Sequence, residues 1–448
     1  MGHIFHRSTL TAPPMAVRAS GQQIIDAAGR SYLDASGGAA VSCIGHGDPR
    51  VVAAVSKQIA QLDYAHSGAF TSQSAEDLAA HICEVAGLGM ARVYFVGSGS
   101  EAVEAAIKMA RQCQIERGQA GRHVVISRRQ SYHGNTLGAL ARSGSETRRA
   151  PYAPMLPERA QIMPCFYYRY AEPGETPEAF GHRAADTLEA EILRLGPETV
   201  AAFMAETVVG ATSGAVAPVP GYFKRIREIC DRYGVLLICD EVMCGAYRTG
   251  PFLACADEGI APDIVTLAKG LGGGYLPIGA VACRSEVYDS FAQGSGAFTH
   301  GHTYMAHPVV CAAALAVQRV IVEDGLAERV LRQGAALETA LRNRLGQHPH
   351  VGDIRGRGLL WAVELVADRE TAAPFDPALR LSARIGAEAK ARGLLIYPGS
   401  GTIDGWRGDH VLLAPAYSIG DEDLDRITDV LAASVEAVLA GFPQGATV

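Results

Sequence analysis

Val235-Leu236-Leu237-Ile238-Cys239-Asp240 is an apolar run that ends on an acid, and Ile264-Val265-Thr266-Leu267-Ala268-Lys269 is a second run that ends on an amine, followed by Gly270-Leu271-Gly272-Gly273-Gly274. Runs this short and this uniformly apolar read as strands covered on both faces. Residues 93–96, 124–126, 200–204 and 279–282 are further candidates, and the segments between them, from about Ser74 to Val320, have helical spacing. Helices alternating with buried strands predict an α/β fold built on a mostly parallel sheet. In open sheets of this kind the ligand site lies beyond the carboxyl ends of the strands, where Asp240 and Lys269 stand.

The chain has forty basic residues, and only five are lysine: Lys57, Lys108, Lys224, Lys269 and Lys390. Four of them lie in stretches with helical apolar spacing and polar neighbours, where a solvated amine is the direct reading. Lys269 alone is placed for chemistry. An amine from one buried strand and a carboxylate from another, beside flexible glycine backbone, are what a pyridoxal phosphate enzyme requires. The lysine can form a Schiff base with the cofactor aldehyde, and the acid can keep the pyridine nitrogen protonated.

A length of 448 residues exceeds what one hydrophobic core usually serves, and 48% apolar with 19% charged residues describes an ordinary globular chain. The expected division is an N-terminal segment, residues 1–60, packing with a smaller C-terminal α+β domain, residues 326–448, around a large cofactor-binding domain, residues 61–325. A formal net charge of −7 argues against nucleic acid as partner. The pairs Arg128-Arg129 and Arg148-Arg149 read as solvated or interface residues. The N-terminal residues lack a hydrophobic signal core, and no stretch approaches about 18 apolar residues, so a cytoplasmic protein without a membrane span is expected. Ten cysteines show no C-x-x-C spacing and several fall on apolar faces, which predicts reduced thiols. His300, His302 and His307 have no nearby carboxylate or thiolate to complete a shell, and no metal is expected.

Val96-Gly97-Ser98-Gly99-Ser100-Glu101-Ala102 follows a strand and opens a helix, so backbone N–H groups and the Ser100 hydroxyl can approach a phosphate there. The G-x-G spacing continues into Ser100-Glu101 rather than a third glycine, which counts against a dinucleotide loop. Together with Ser131-Tyr132-His133-Gly134, Ala205-Glu206 with Gly221-Tyr222, Asp240-Glu241-Val242 with Arg248-Thr249-Gly250, the Lys269 stretch through Pro277-Ile278-Gly279-Ala280, and Gly301-His302-Thr303-Tyr304 with His307-Pro308, this loop resembles the class III pyridoxal-phosphate-dependent aminotransferases of fold type I. The matching stretches run from Gly45 to about Pro415, and their order and spacing carry the resemblance.

That resemblance implies Lys269 as Schiff-base lysine and proton shuttle, and Asp240 as partner of the pyridine nitrogen. It places Tyr132 over one face of the ring and Val242 over the other. Gly99, Ser100 and Thr303 of the partner subunit would hold the phosphate, which implies a homodimer with shared active sites, or a tetramer built from one. Glu206 corresponds to the family's acid near the cofactor, with a buried acid bonded to backbone as the alternative.

The departures narrow the substrate. Members acting on ornithine or 4-aminobutyrate carry an acid where this chain reads Gly210-Ala211-Thr212-Ser213-Gly214, and Met243 replaces their frequent glutamine. Ala39-Ala40 stands where some relatives carry a bulky aromatic, which implies a roomier pocket. An oxo-acid still needs a cation, because burying its carboxylate unpaired is costly. Arg407, in Asp404-Gly405-Trp406-Arg407-Gly408-Asp409, is the candidate, with an ion pair to Asp404 or Asp409 as its alternative. The expected activity is transfer of an amino group from a primary amine or ω-amino acid to an oxo-acid, pyruvate, by a ping-pong route. A 2,1-aminomutase or racemase on the same fold is the alternative.

Overall fold

The computed structural model describes residues 2–441. Its centre is a seven-stranded sheet in the order Met90–Val96, Gly279–Arg284, Ile264–Leu267, Leu236–Asp240, Val200–Glu206, Val124–Arg128, Gln161–Ile162. The last five strands are mutually parallel, and Gly279–Arg284 runs antiparallel to both of its neighbours. Residues 268–278 explain that reversal: a connection of about a dozen residues is the shortest that carries a parallel crossover, and this one also makes the Lys269 turn.

Every residue of Val200–Glu206, Leu236–Asp240 and Ile264–Leu267 is buried, because helices cover both faces. Side-chain alternation divides the strands between the two layers. Ala202, Met204, Leu236, Ile238 and Ile264 pack on Ala102, Ala106 and Met109 of the helix Gly99–Glu116. Phe203, Leu237, Cys239 and Val265 face the opposite layer, with Phe180 of Pro177–Leu195 and Ile226 of Tyr222–Tyr233. Parallel register pairs Glu206 with Asp240 and Asp240 with Thr266, so the three polar residues form a row across the carboxyl ends of adjacent strands.

A four-stranded antiparallel sheet, Val351–Arg357, Leu360–Leu365, Asp409–Leu413 and Tyr397–Ser400, lies in the C-terminal part, with the helices Leu326–Leu345, Leu381–Ala391 and Asp421–Leu439. Near the N-terminus, Ala16–Ser20, Gln23–Asp26 and Ser31–Asp34 form an antiparallel sheet whose last strand pairs parallel with Leu394–Leu395. A buried ion cluster ties the short helix Tyr167–Tyr170 to the C-terminal sheet: Glu364, fully buried, takes Arg169 on one oxygen and Arg355 at 2.6 Å on the other.

Two arginines read from sequence as solvated or interface residues are interior. Arg128 donates to the Glu206 carbonyl and stacks on Tyr222, while Arg149 Nη1 donates to the carbonyls of Leu140, Ala141 and Ser143. In each case apolar walls surround the stem and backbone acceptors face the guanidinium, which composition does not reveal. All ten cysteines are free thiols. Among the described residues, no helix is long and apolar enough to cross a membrane, and no group of three or more His, Cys, Asp or Glu is placed to hold a metal ion.

Candidate active site

The carboxyl ends of the strands open onto a cavity of about 510 Å³. Gly99, Ser100, Tyr132, Glu206, Asp240, Val242 and Lys269 all line it, although in sequence they span 170 positions.

Asp240 is held by three donors. Its Oδ1 accepts from the Thr266 hydroxyl at 3.0 Å and from Val242 N at 3.1 Å, and its Oδ2 accepts from His133 Nδ1 at 2.7 Å. Because an ionised carboxylate only accepts, the proton of that last bond sits on Nδ1. Both side chains are buried, so the charge has a fixed direction and little water around it. His133, one position past Tyr132, is a positioning residue that no local sequence signal marks as the partner of Asp240. The adjacent Glu241 turns away: its carboxylate takes the Thr207 hydroxyl and the amides of Ala254 and Cys255, which is a structural role.

Lys269 leaves the end of its strand with a φ of +46°, in the left-handed region that non-glycine residues seldom occupy. The turn is closed by the amides of Gly272 and Gly273, which both donate to the Lys269 carbonyl. Burial pulls the amine down to about 8, against the opposing pull of the Asp240 and Glu206 charges.

Glu206 is both a cavity wall and a backbone anchor. Its two oxygens accept from Tyr132 N and Gly210 N, each at 2.9 Å, so it fixes the segment that presents the Tyr132 ring. Burial, reinforced by the Asp240 charge and opposed by His133 and the two amides, raises its carboxyl above the usual carboxylate range.

The helix Gly99–Glu116 begins at the cavity, and Ser98 caps it by accepting from Glu101 N at 3.2 Å. A Cβ on Gly99 would stand 2.9 Å from Val242 Cγ1, so only glycine lets this turn lie against the wall. Ser100 Oγ accepts from Asn135 N at 3.0 Å, which locks the hydroxyl beside the Tyr132 segment. A helix start with free N–H groups suits a phosphate, and an amine beside an oriented carboxylate suits an aldehyde-bearing pyridine, so the donor set fits pyridoxal phosphate.

Two expected residues lie elsewhere in the protomer. Thr303 is exposed and lines an adjoining cavity that shares Gly97, Pro277 and Ile278 with the first. Arg407 is 59% exposed and engaged by Asp404, through Nε at 2.6 Å and its own backbone N at 2.7 Å, and it does not line the Lys269 cavity. Ala39 and Ala40 do not reach the cavity either; Val41 does. Arg148 is an unanticipated neighbour, with its guanidinium 4.7 Å from the centroid of the Tyr132 ring.

Comparison with known proteins agrees with this geometry. The family model described as aminotransferase class-III matches residues 4–435. An uncharacterised aminotransferase of Schizosaccharomyces pombe is 44% identical over 445 residues, 98% of this chain and 96% of that one. Among solved structures, an (S)-enantioselective omega-transaminase from Thermomicrobium roseum superposes with a TM-score of 0.91 at 34% identity, covering 98% of this chain and 96% of that one. An amine transaminase from an uncultivated Pseudomonas species, solved in its PLP-bound form, gives 0.90 at 34% identity, over 98% and 99% of the two chains. The strand-end amine and acid therefore belong to a pyridoxal-phosphate-dependent transaminase: the chain is a member of the class III aminotransferases.

Proposed function

We propose that this enzyme takes the amino group of a primary amine or ω-amino acid and passes it to an oxo-acid, pyruvate, in two half-reactions that share one site, and that it works as a cytoplasmic homodimer. The observation that carries the reading is the meeting of Lys269 and Asp240 in one cavity that takes Ala211, and no acid, from residues 210–214. The solved neighbours named as amine and omega-transaminases support an amine or ω-amino acid donor.

When bound, pyridoxal phosphate supplies an aldehyde for the amino group and a ring that accepts the electrons of the broken C–H bond. Lys269 supplies the nucleophilic amine and carries the proton away from the substrate carbon. Asp240, kept in place by His133 and Thr266, would hold a proton at the pyridine nitrogen. Tyr132 and Val242 would flank the ring, and Glu206 keeps the Tyr132 segment in position. Gly99 and Ser100 would hold the phosphate, with Thr303 of the partner subunit closing it.

Adding donor alone to the purified holoenzyme tests the reading. The visible absorbance of the aldehyde form should be lost in one stoichiometric step, with release of an aldehyde or ketone, and should return when pyruvate is added. Absorbance that persists while the donor is isomerised or racemised would establish the intramolecular alternative instead.

A further inference from the structure

The Lys269 cavity contains no arginine in its lining, so a substrate carboxylate confined there would meet no guanidinium. A second cavity, of about 130 Å³, adjoins it, and Tyr132 and Ala211 line both. Its other walls include Gln130, Ser145, Thr212 and Ser400, and its one cation is Arg148. Among the described residues, Arg148 has no carboxylate partner. The nearby acids are committed elsewhere, Glu146 to Arg159 at 2.7 Å and Asp404 to Arg407 at 2.6 Å.

Gln130, the other large polar side chain of this cavity, is also spent, since its amide nitrogen donates to the Thr402 carbonyl at 3.0 Å and its oxygen accepts from Tyr170 at 2.9 Å. What remains is Arg148, an exposed, planar, permanently charged donor 4.7 Å from the Tyr132 centroid, on a small polar recess that shares Tyr132 and Ala211 with the catalytic cavity. Arg7 adds a second positive charge that acts on Tyr132. A guanidinium in such a place matches a carboxylate in shape and charge.

Building on the transaminase reading above, we propose that Arg148 receives a substrate carboxylate in the recess behind Tyr132, several bonds from the carbon that exchanges its amino group. Such a carboxylate belongs to an ω-amino acid donor or is the distal one of a dicarboxylic oxo-acid. Arg407 stays on Asp404 in this scheme. Arg148 lines the recess and not the Lys269 cavity, so a carboxylate on the reacting carbon's immediate neighbour does not fit the assignment.

The test uses holoenzyme carrying Arg148→Gln, Arg148→Lys or Arg407→Ala. Donor half-reactions are compared for 4-aminobutyrate and butylamine, acceptor half-reactions for 2-oxoglutarate and pyruvate, and binding of the inert probes butyrate and glutarate is measured by calorimetry. In Arg148→Gln, the preference in kcat/KM for the carboxylated member should fall at least tenfold in the pair that uses the site. Arg148→Lys should restore part of it. A shift confined to the donor pair and butyrate assigns the carboxylate to the donor, and one confined to the acceptor pair and glutarate assigns it to the acceptor. The proposal is overturned if neither preference nor probe binding moves, or if only Arg407→Ala moves them. Should none of the donors aminate the wild-type holoenzyme while glutarate binding still depends on Arg148, the recess stands and the transaminase substrate reading fails.

Discussion

Lys269 is set for reaction by its surroundings rather than by its type. Its amine lies near 8, well below the ordinary lysine value, because burial costs more than Asp240 and Glu206 return. The sign matters, since the neutral amine is the nucleophile. At pH 7 roughly one amine in ten is neutral, against about one in three thousand for an ordinary lysine. Capture of pyridoxal phosphate by the apoenzyme should therefore accelerate about tenfold per pH unit and level off above about pH 8. A rate that keeps climbing past about pH 9 would show that the amine is not depressed. Lys269→Ala should remove multiple turnover altogether. At this scale the sequence disclosed what the strand ends carry, because an acid and an amine closing apolar runs are visible locally. His133 was not legible as a partner of Asp240, since the two are 107 positions apart and only the sheet brings them to 2.7 Å. Arg407 illustrates the converse. An acid three positions earlier captures it locally, a pairing that competes with any swing toward substrate.

Among the elements, the parallel strands were readable because burial on both faces leaves them uniformly apolar, as in Val200–Glu206 and Leu236–Asp240. Val351–Arg357 was not, because it mixes Gly352, Gly356 and two arginines that pair with acids. Tyr397–Ser400 was not either, because Pro398 and Gly399 argue against a strand. The antiparallel run of Gly279–Arg284 is a property of the short connection before it, not of its own composition. The junction of Val96 with the helix Gly99–Glu116 is the element on which cofactor binding depends most closely. A methyl added at Gly99 would meet Val242 at 2.9 Å and Ala268 Cβ at 3.4 Å, and overpacking of this kind costs about 1–3 kcal/mol. Gly99→Ala should weaken pyridoxal phosphate retention about tenfold or more. In a Val242→Ala background the same change should cost little, because the clashing methyls are gone. Equal losses in both backgrounds, measured by equilibrium dialysis, would mean that the glycine acts through something other than Val242.

At the scale of the molecule, the proposed homodimer turns on Thr303. Thr303 is exposed and outside the Lys269 cavity, and Tyr304, next to it in the chain and on the same adjoining cavity, is 70% exposed. A large aromatic side chain left open at such a place suits a subunit contact. If the dimer brings Thr303 of the partner subunit to the phosphate, the hydroxyl acts across the interface and dissociation should release cofactor. A heterodimer of a Lys269→Ala chain with a Thr303→Ala chain separates the possibilities. With the clamp acting across the interface, both substitutions fall on the same site, so the other site keeps a normal Lys269 and a normal Thr303. Half the wild-type turnover should remain, with undiminished cofactor affinity at that site. If Thr303 serves its own chain, the only site with Lys269 lacks the hydroxyl, and the heterodimer should retain cofactor as poorly as the Thr303→Ala homodimer. That second result would also remove the reason for expecting a shared active site, leaving the exposed Tyr304 without a catalytic role.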